Sequence, residues 1–225
     1  SSAASDVYKR QVGGSALIRR LSEAGKIDTA PLEGAWERYL IQTVANPLPG
    51  IRKALVIAGS DRRGAAYGLF TLSELIGVSP WYWWADVPVK KHAALHVDAP
   101  PTYSQTPSVR YRGIFLNDED WGLTPWASQT FEPERGNIGP RTYAKVCELL
   151  LRLKANYLAP AMHPVSTSFN QIPENKLVAD TFAIVMGSTH CEPLLLNTAS
   201  EWDSKTMGEW DYVNNRAGVD RVLKE

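Results

Sequence analysis

The chain has 225 residues, 44% of them hydrophobic and 21% charged, with 24 Lys and Arg set against 24 Asp and Glu. This is an ordinary globular composition with room for one large domain or two small ones. Zero net charge without a Lys/Arg-rich run excludes a basic stripe for nucleic acid, and no apolar stretch approaches the roughly 20 residues of a membrane helix. Two cysteines, Cys147 and Cys191, make neither a disulfide framework nor a CxxC metal site. Eight Trp and nine Tyr leave a surplus of aromatic rings, which serve either a core or a sugar platform.

Residues 1–11 are set aside from the fold, because "DVYKRQ" reads as translated sequencing-adapter sequence behind low-complexity filler. The N-terminus is therefore expected to be missing, and the lack of a signal peptide carries no information about the compartment. Tyr39 to Val44 is a short β-rich run, and Ala54 to Ala58, "ALVIA", is a continuous apolar run of buried-strand type. Gly59-Ser60-Asp61 turns the chain into a helix over Arg62 to Ile76, which Gly77 terminates. An edge strand is expected over Ala94 to Val97. Pro100, Pro101 and Pro107 mark Asp98 to Pro107 as a linker, so a small α/β domain is expected over residues 12–100.

Beyond the linker the rhythm is strand, loop, helix. Val109 to Asn117 reads as a buried strand, Thr142 to Lys154 as an amphipathic helix and Asn156 to Pro160 as a strand. Asn175 to Thr181 reads as a helix, Ala183 to Met186 as a strand, and Arg216 to Lys224 as a weak last helix. Repeated βα units imply a parallel sheet or barrel. A closed (β/α)8 barrel takes about 250 residues. Residues 101–225 are thus expected to hold only the first units of a TIM barrel, with strand edges that make the isolated chain prone to aggregate.

In βα architectures the chemistry gathers at the C-terminal ends of strands. Asn117-Asp118-Glu119-Asp120 stands at one such end and His190-Cys191-Glu192 at another. Strand alternation puts Asp118 and Glu119 on opposite faces, so they should not both meet one substrate. Glycoside hydrolysis needs two carboxyl groups about 5 Å apart for retention or about 6.5–9.5 Å for inversion. For such a reaction the acidic cluster could supply one of them at most, and the other would come from a different strand, Glu192 or a residue beyond Glu225. Zinc at His190 and Glu192 would need His163 as a third ligand; no metal site is expected, and no cofactor. Adjacent side chains point apart, which disfavours a Cys191–His190 pair. "GSDRRG" lacks the phosphate-loop lysine, so Gly59, Asp61 and Gly64 read as structural, with Arg62 and Arg63 as candidate anion contacts. "WYWW", Trp81 to Trp84, reads as packing before platform.

Four segments carry a resemblance: "GSDRRGAAYGLFTLSELIGVSPWYWWADVPV", "YRGIFLNDEDWGLTPWA", "IGPRTYAKVCELLLRLKANYLAPAMHP" and "IVMGSTHCEP". In this order they resemble glycoside hydrolase family 115, the xylan α-1,2-glucuronidases. The resemblance implies a small α/β domain followed by a catalytic TIM barrel. It also implies inverting release of glucuronic or 4-O-methylglucuronic acid from glucuronoxylan by an extracellular or periplasmic enzyme, a homodimer when full length. It places Asn117, Asp118, His163, His190 and Glu192 in the uronic-acid pocket, with Asp118 and Glu192 as candidate catalytic carboxylates and others beyond Glu225. Two positions depart from the family pattern: Ala159 stands where Trp is expected, and Asn170 where an aromatic is usual. The alternatives are a carbohydrate-binding or scaffold module of the same fold and, further off, a nucleotide-binding protein using "GSDRRG".

Overall fold

The structure is a computed structural model that describes residues 14–117, 121–189 and 191–224. The fold is α/β and divides into two units: residues 1–111 with Leu151–Ala155, and residues 112–150 with 156–225.

The first unit is built on an antiparallel hairpin. β1 (Tyr39–Leu48) pairs with β2 (Ile51–Gly59) in a register that closes at Leu48 opposite Ile51. Pro49 and Gly50 make the connection, with Gly50 at φ +81°, and Pro followed by a left-handed Gly suits a tight turn. Pro47 cannot donate to a ladder, and it falls within a register shift between Ala45 and Leu48 where Asn46 has φ +47°. A bulge there lets the strand carry a proline. The third strand, β3 (Thr102–Tyr103), pairs with the other edge of β1. It lies inside the proline-rich stretch. The strand expected over Ala94 to Val97 does not form: those residues are exposed and lack a neighbour to complete a ladder. α1 (Ala16–Glu23) is capped by Ser15, whose Oγ accepts the Ile18 N–H at 3.3 Å. Its Ile18 and Leu21 join Ile27, Leu32, Leu40, Val44, Val56 and Ala58 in the core.

α2 (Arg62–Leu75) packs on this hairpin through its glycines. Asp61 caps it, accepting the Gly64 N–H at 2.8 Å on one oxygen and the Glu37 N–H at 2.7 Å on the other. A Cβ on Gly64 would come within 2.2 Å of the Arg38 carbonyl, and one on Gly59 within 2.1 Å of the Ala65 nitrogen. These contacts are backbone on backbone and cannot give way cheaply. Ala is the better helix former by about 1 kcal/mol, yet Gly64→Ala is expected to destabilise the protein by about 1–3 kcal/mol, the usual cost of overpacking. The check is a lower denaturant midpoint at unchanged slope.

The second unit is a parallel sheet in the order β4 (Gly113–Phe115), β5 (Tyr157–Ala159), β6 (Val185–Met186). α3 (Leu123–Trp126) and α4 (Pro140–Arg152) connect the first pair of strands, and α5 (Pro173–Thr181) the second. α6 (Ser204–Met207) and α7 (Arg216–Val222) follow. Alternation places Phe115, Tyr157, Ala159 and Val185 on one face, with Ile114, Leu158 and Met186 on the other. Gly187 belongs to the first face, since a Cβ there would lie 1.8 Å from the Tyr157 hydroxyl. α5 covers the second face, where its Ala179 lines a cavity with Ile184 and Met186. β4 is shorter than the buried strand expected over Val109 to Asn117, and it is not buried: Ile114 and Phe115 are each 39% exposed. Its single partner among the described strands is β5, so apolar side chains at this edge go uncovered.

α4 begins at Pro140 with Gly139 before it, so no capping side chain stands next to it in sequence. Glu132 does the work from seven residues upstream of Gly139. Its carboxylate, 1% exposed, accepts the N–H groups of Gly139 (3.0 Å), Arg141 (3.0 Å) and Thr142 (2.8 Å) and the Thr142 hydroxyl (2.6 Å). A negative charge at a helix N-terminus, fully hydrogen-bonded, is well placed for the dipole as well.

Candidate functional site

The parallel sheet of the second unit presents three strand ends. Asn117 stands exposed just after β4. Asp118, Glu119, Asp120 and His190 lie outside the described residues. His163 follows β5 and is half-buried, and its carbonyl accepts the Ser166 N–H at 2.9 Å. Ala159, where an aromatic wall was expected, is 1% exposed; Asn170 is exposed.

Glu192, after β6, is the most perturbed of the expected site residues. It is 4% exposed and borders a cavity of about 330 Å3 together with Pro160, Phe169, Lys176, Asp180 and Met186. Its Oε1 accepts a long 3.5 Å contact from Asn197 Nδ2, and its buried Oε2 has no hydrogen-bond partner among the described residues. Burial pushes its carboxyl up to about 7; the Asn197 hydrogen bond opposes this and the nearby Glu201 charge adds to it. A carboxyl in that range is about half protonated near neutral pH.

Asn197 went unread in the sequence. It is fully buried, and its Nδ2 also donates to the Met162 carbonyl at 2.6 Å, so it ties the segment after β6 to the segment after β5. Only a lone polar residue behind "LLL" hints at it. Cys191, beside Glu192, is half-buried, and its carbonyl accepts the Thr198 N–H at 2.9 Å. Cys147 is buried in α4, and burial pushes its thiol up to about 12.

The helix start in "GSDRRG" is filled by its own chain. The Asp61 carboxylate occupies the first turn of α2, and Arg63 Nε donates to the buried Glu37 carboxylate at 2.5 Å. Arg62 is exposed. In the "WYWW" run, Trp81 is 45% and Trp83 39% exposed, while the Tyr82 ring stacks under the Arg152 guanidinium at 4.7 Å. Among the described residues no group of three His, Cys, Asp or Glu side chains is placed to hold a metal ion, and no helix is long and apolar enough to cross a membrane.

Comparison with known proteins bears on this sheet directly. The profile of glycosyl hydrolase family 115 matches residues 104–225, which include all three parallel strands. Among solved structures the chain is similar to BtGH115A, a family GH115 4-O-methyl-α-glucuronidase with specificity for decorated arabinogalactans. The identity is 42% and the TM-score 0.81, over 96% of this chain and 28% of that one. The chain thus spans 28% of the length of that protein. No curated protein sequence matches.

Proposed function

The chain belongs to glycosyl hydrolase family 115, and from that premise we propose that the protein releases α-1,2-linked glucuronic or 4-O-methylglucuronic acid from glucuronoxylan, with inversion. The observation that carries the reading is the family match across β4, β5 and β6, the segment in which Asn117 and His163 follow the first two strands. In this reading the three strands open a TIM barrel. Its C-terminal rim takes the uronic acid, as strand ends of parallel sheets commonly take substrates. Asp118 is the carboxylate at the sugar. Inversion needs two carboxyl groups about 6.5–9.5 Å apart with the attacking water between them; Asp118 either belongs to that pair or holds the sugar hydroxyls. The enzyme works outside the cytoplasm, as a polysaccharide substrate requires, and as a homodimer.

A second reading keeps the reaction and changes the glycan. The similar glucuronidase is described as specific for decorated arabinogalactans, and Ala159 removes an aromatic ring from the wall expected to stack on the sugar. An arabinogalactan carrying glucuronate side chains is therefore the competing substrate. Incubating the full-length protein with each glycan separates the two, and free uronic acid is expected from glucuronoxylan. Release from arabinogalactan alone would establish the second reading. Retention of either glycan with no release would make the protein a binding module.

A further inference from the structure

Two buried side chains, Glu192 and Asn197, join the segments that follow β5 and β6. Asn197 is fully engaged: its Nδ2 donates to the Met162 carbonyl and toward Glu192, and its Oδ1 accepts the N–H groups of Ala199 at 3.0 Å and Ser200 at 3.2 Å. Its own N–H donates to Glu201 Oε2 at 2.7 Å. The Glu192 N–H closes a turn onto the Thr189 carbonyl at 2.9 Å. We propose that Glu192 is a positioning residue and not a proton-transfer group: through Asn197 it holds the segment after β6 to Met162, and so sets the course of the chain into His163.

Three observations carry this assignment. Glu192 is 4% exposed, and its Oε1 faces Asn197, which is itself locked to Met162. Its Oε2 is buried with no hydrogen-bond partner among the described residues, where an ionised carboxylate would leave a bare charge and a neutral acid leaves only one weakly matched group. The cavity it borders is lined by Lys176, Ala179 and Asp180 of α5 as well as by Met186 and Gly187, and of the described site residues neither Asn117 nor His163 lines it. The charged groups around it are Glu201 on the following segment and Lys176 and Asp180 on α5. Lys176 and Asp180 are exposed and of opposite sign, which leaves burial to dominate, and the raised carboxyl agrees with this.

The assignment rests on the glucuronidase reading only for its activity readout. In the full-length protein Glu192→Gln keeps the shape and the neutral state, so kcat/KM on the glycan stays within about tenfold of wild type. Glu192→Ala opens the junction and loses more than that. Loss of a proton-transfer group costs about 10²–10⁴-fold, so a Gln variant that folds normally yet falls by that factor overturns the proposal. The second readout is the thermal midpoint. A carboxyl raised in the folded state adds stability below its unfolded value of about 4.5 and withdraws it as pH rises through about 7. The wild-type Tm therefore falls relative to that of Glu192→Gln from about pH 5 to about pH 8; parallel curves overturn the proposal. Should no glycan release uronic acid, the functional reading fails, and the positioning role is then overturned by a Glu192→Ala variant that folds as stably as wild type. If Glu192→Ala does not fold while Glu192→Gln does, that pair supports the positioning role.

Discussion

Asp118→Ala in the full-length enzyme is expected to lower kcat/KM on glucuronoxylan by on the order of 10²-fold or more, roughly 3 kcal/mol of transition-state stabilisation. Asp118 is the acid nearest the end of β4, and the family resemblance sets it at the uronic-acid ring. A carboxylate there either accepts hydrogen bonds from sugar hydroxyls or belongs to the acid–base pair. The proposed function favours hydroxyl binding, since the resemblance implies further catalytic carboxylates on later strands. Glu119→Ala and Asp120→Ala are expected to cost much less. Steady-state kinetics of the three variants provide the check, and a near-wild-type Asp118→Ala with the loss at Glu119 or Asp120 would mean that the wrong acid has been assigned to the pocket.

The largest effect on stability is expected at Glu132. Removing its side chain in Glu132→Ala leaves three backbone N–H groups and one hydroxyl at the start of α4 without their acceptor. Gly139 and Thr142 are buried, so water does not replace it fully. Ordinary N-cap losses are about 1 kcal/mol; breaking a buried charged network costs about 3–5 kcal/mol. The second figure applies, because one carboxylate serves four donors. Glu132→Gln keeps one acceptor oxygen and should fall between wild type and Glu132→Ala in chemical denaturation. An alanine variant within about 1 kcal/mol of wild type would show that the helix start rearranges to satisfy itself.

The sequence made the helices legible because their signals are local. Apolar residues near helical spacing, with Gly77 behind them, located α2 to within a residue of Arg62–Leu75. The same spacing found α4, and the helix expected over Asn175 to Thr181 falls two residues short of the start of α5 at Pro173. The hairpin was less legible: the expected runs stop at Val44 and resume at Ala54, whereas β1 and β2 continue to Leu48 and from Ile51 across a bulge at Pro47 and a turn at Pro49. Ala94 to Val97 carries strand-like residues but finds no partner, while Thr102 and Tyr103 find one in β1 among prolines. Pairing is decided by what lies alongside, which a window of sequence does not contain. The candidate site shows the same limit: Asn117 and Glu192 could be placed at strand ends, but Asn197 acts through Met162, thirty-five residues away in the chain. Glu132 left one trace, a helix beginning at Gly139-Pro140 with no capping residue beside it, so that an acceptor from elsewhere had to supply the cap.

The two thiols differ in environment in a way that is useful at the bench. Cys147 is sealed inside α4 with its proton held to about 12, so it offers alkylating reagents almost no thiolate. Cys191 is partly open, and its carbonyl lies in the Thr198 junction directly next to Glu192. Within this chain a maleimide dye therefore attaches at one place without any engineered cysteine, and its fluorescence follows the local environment as glycan is added.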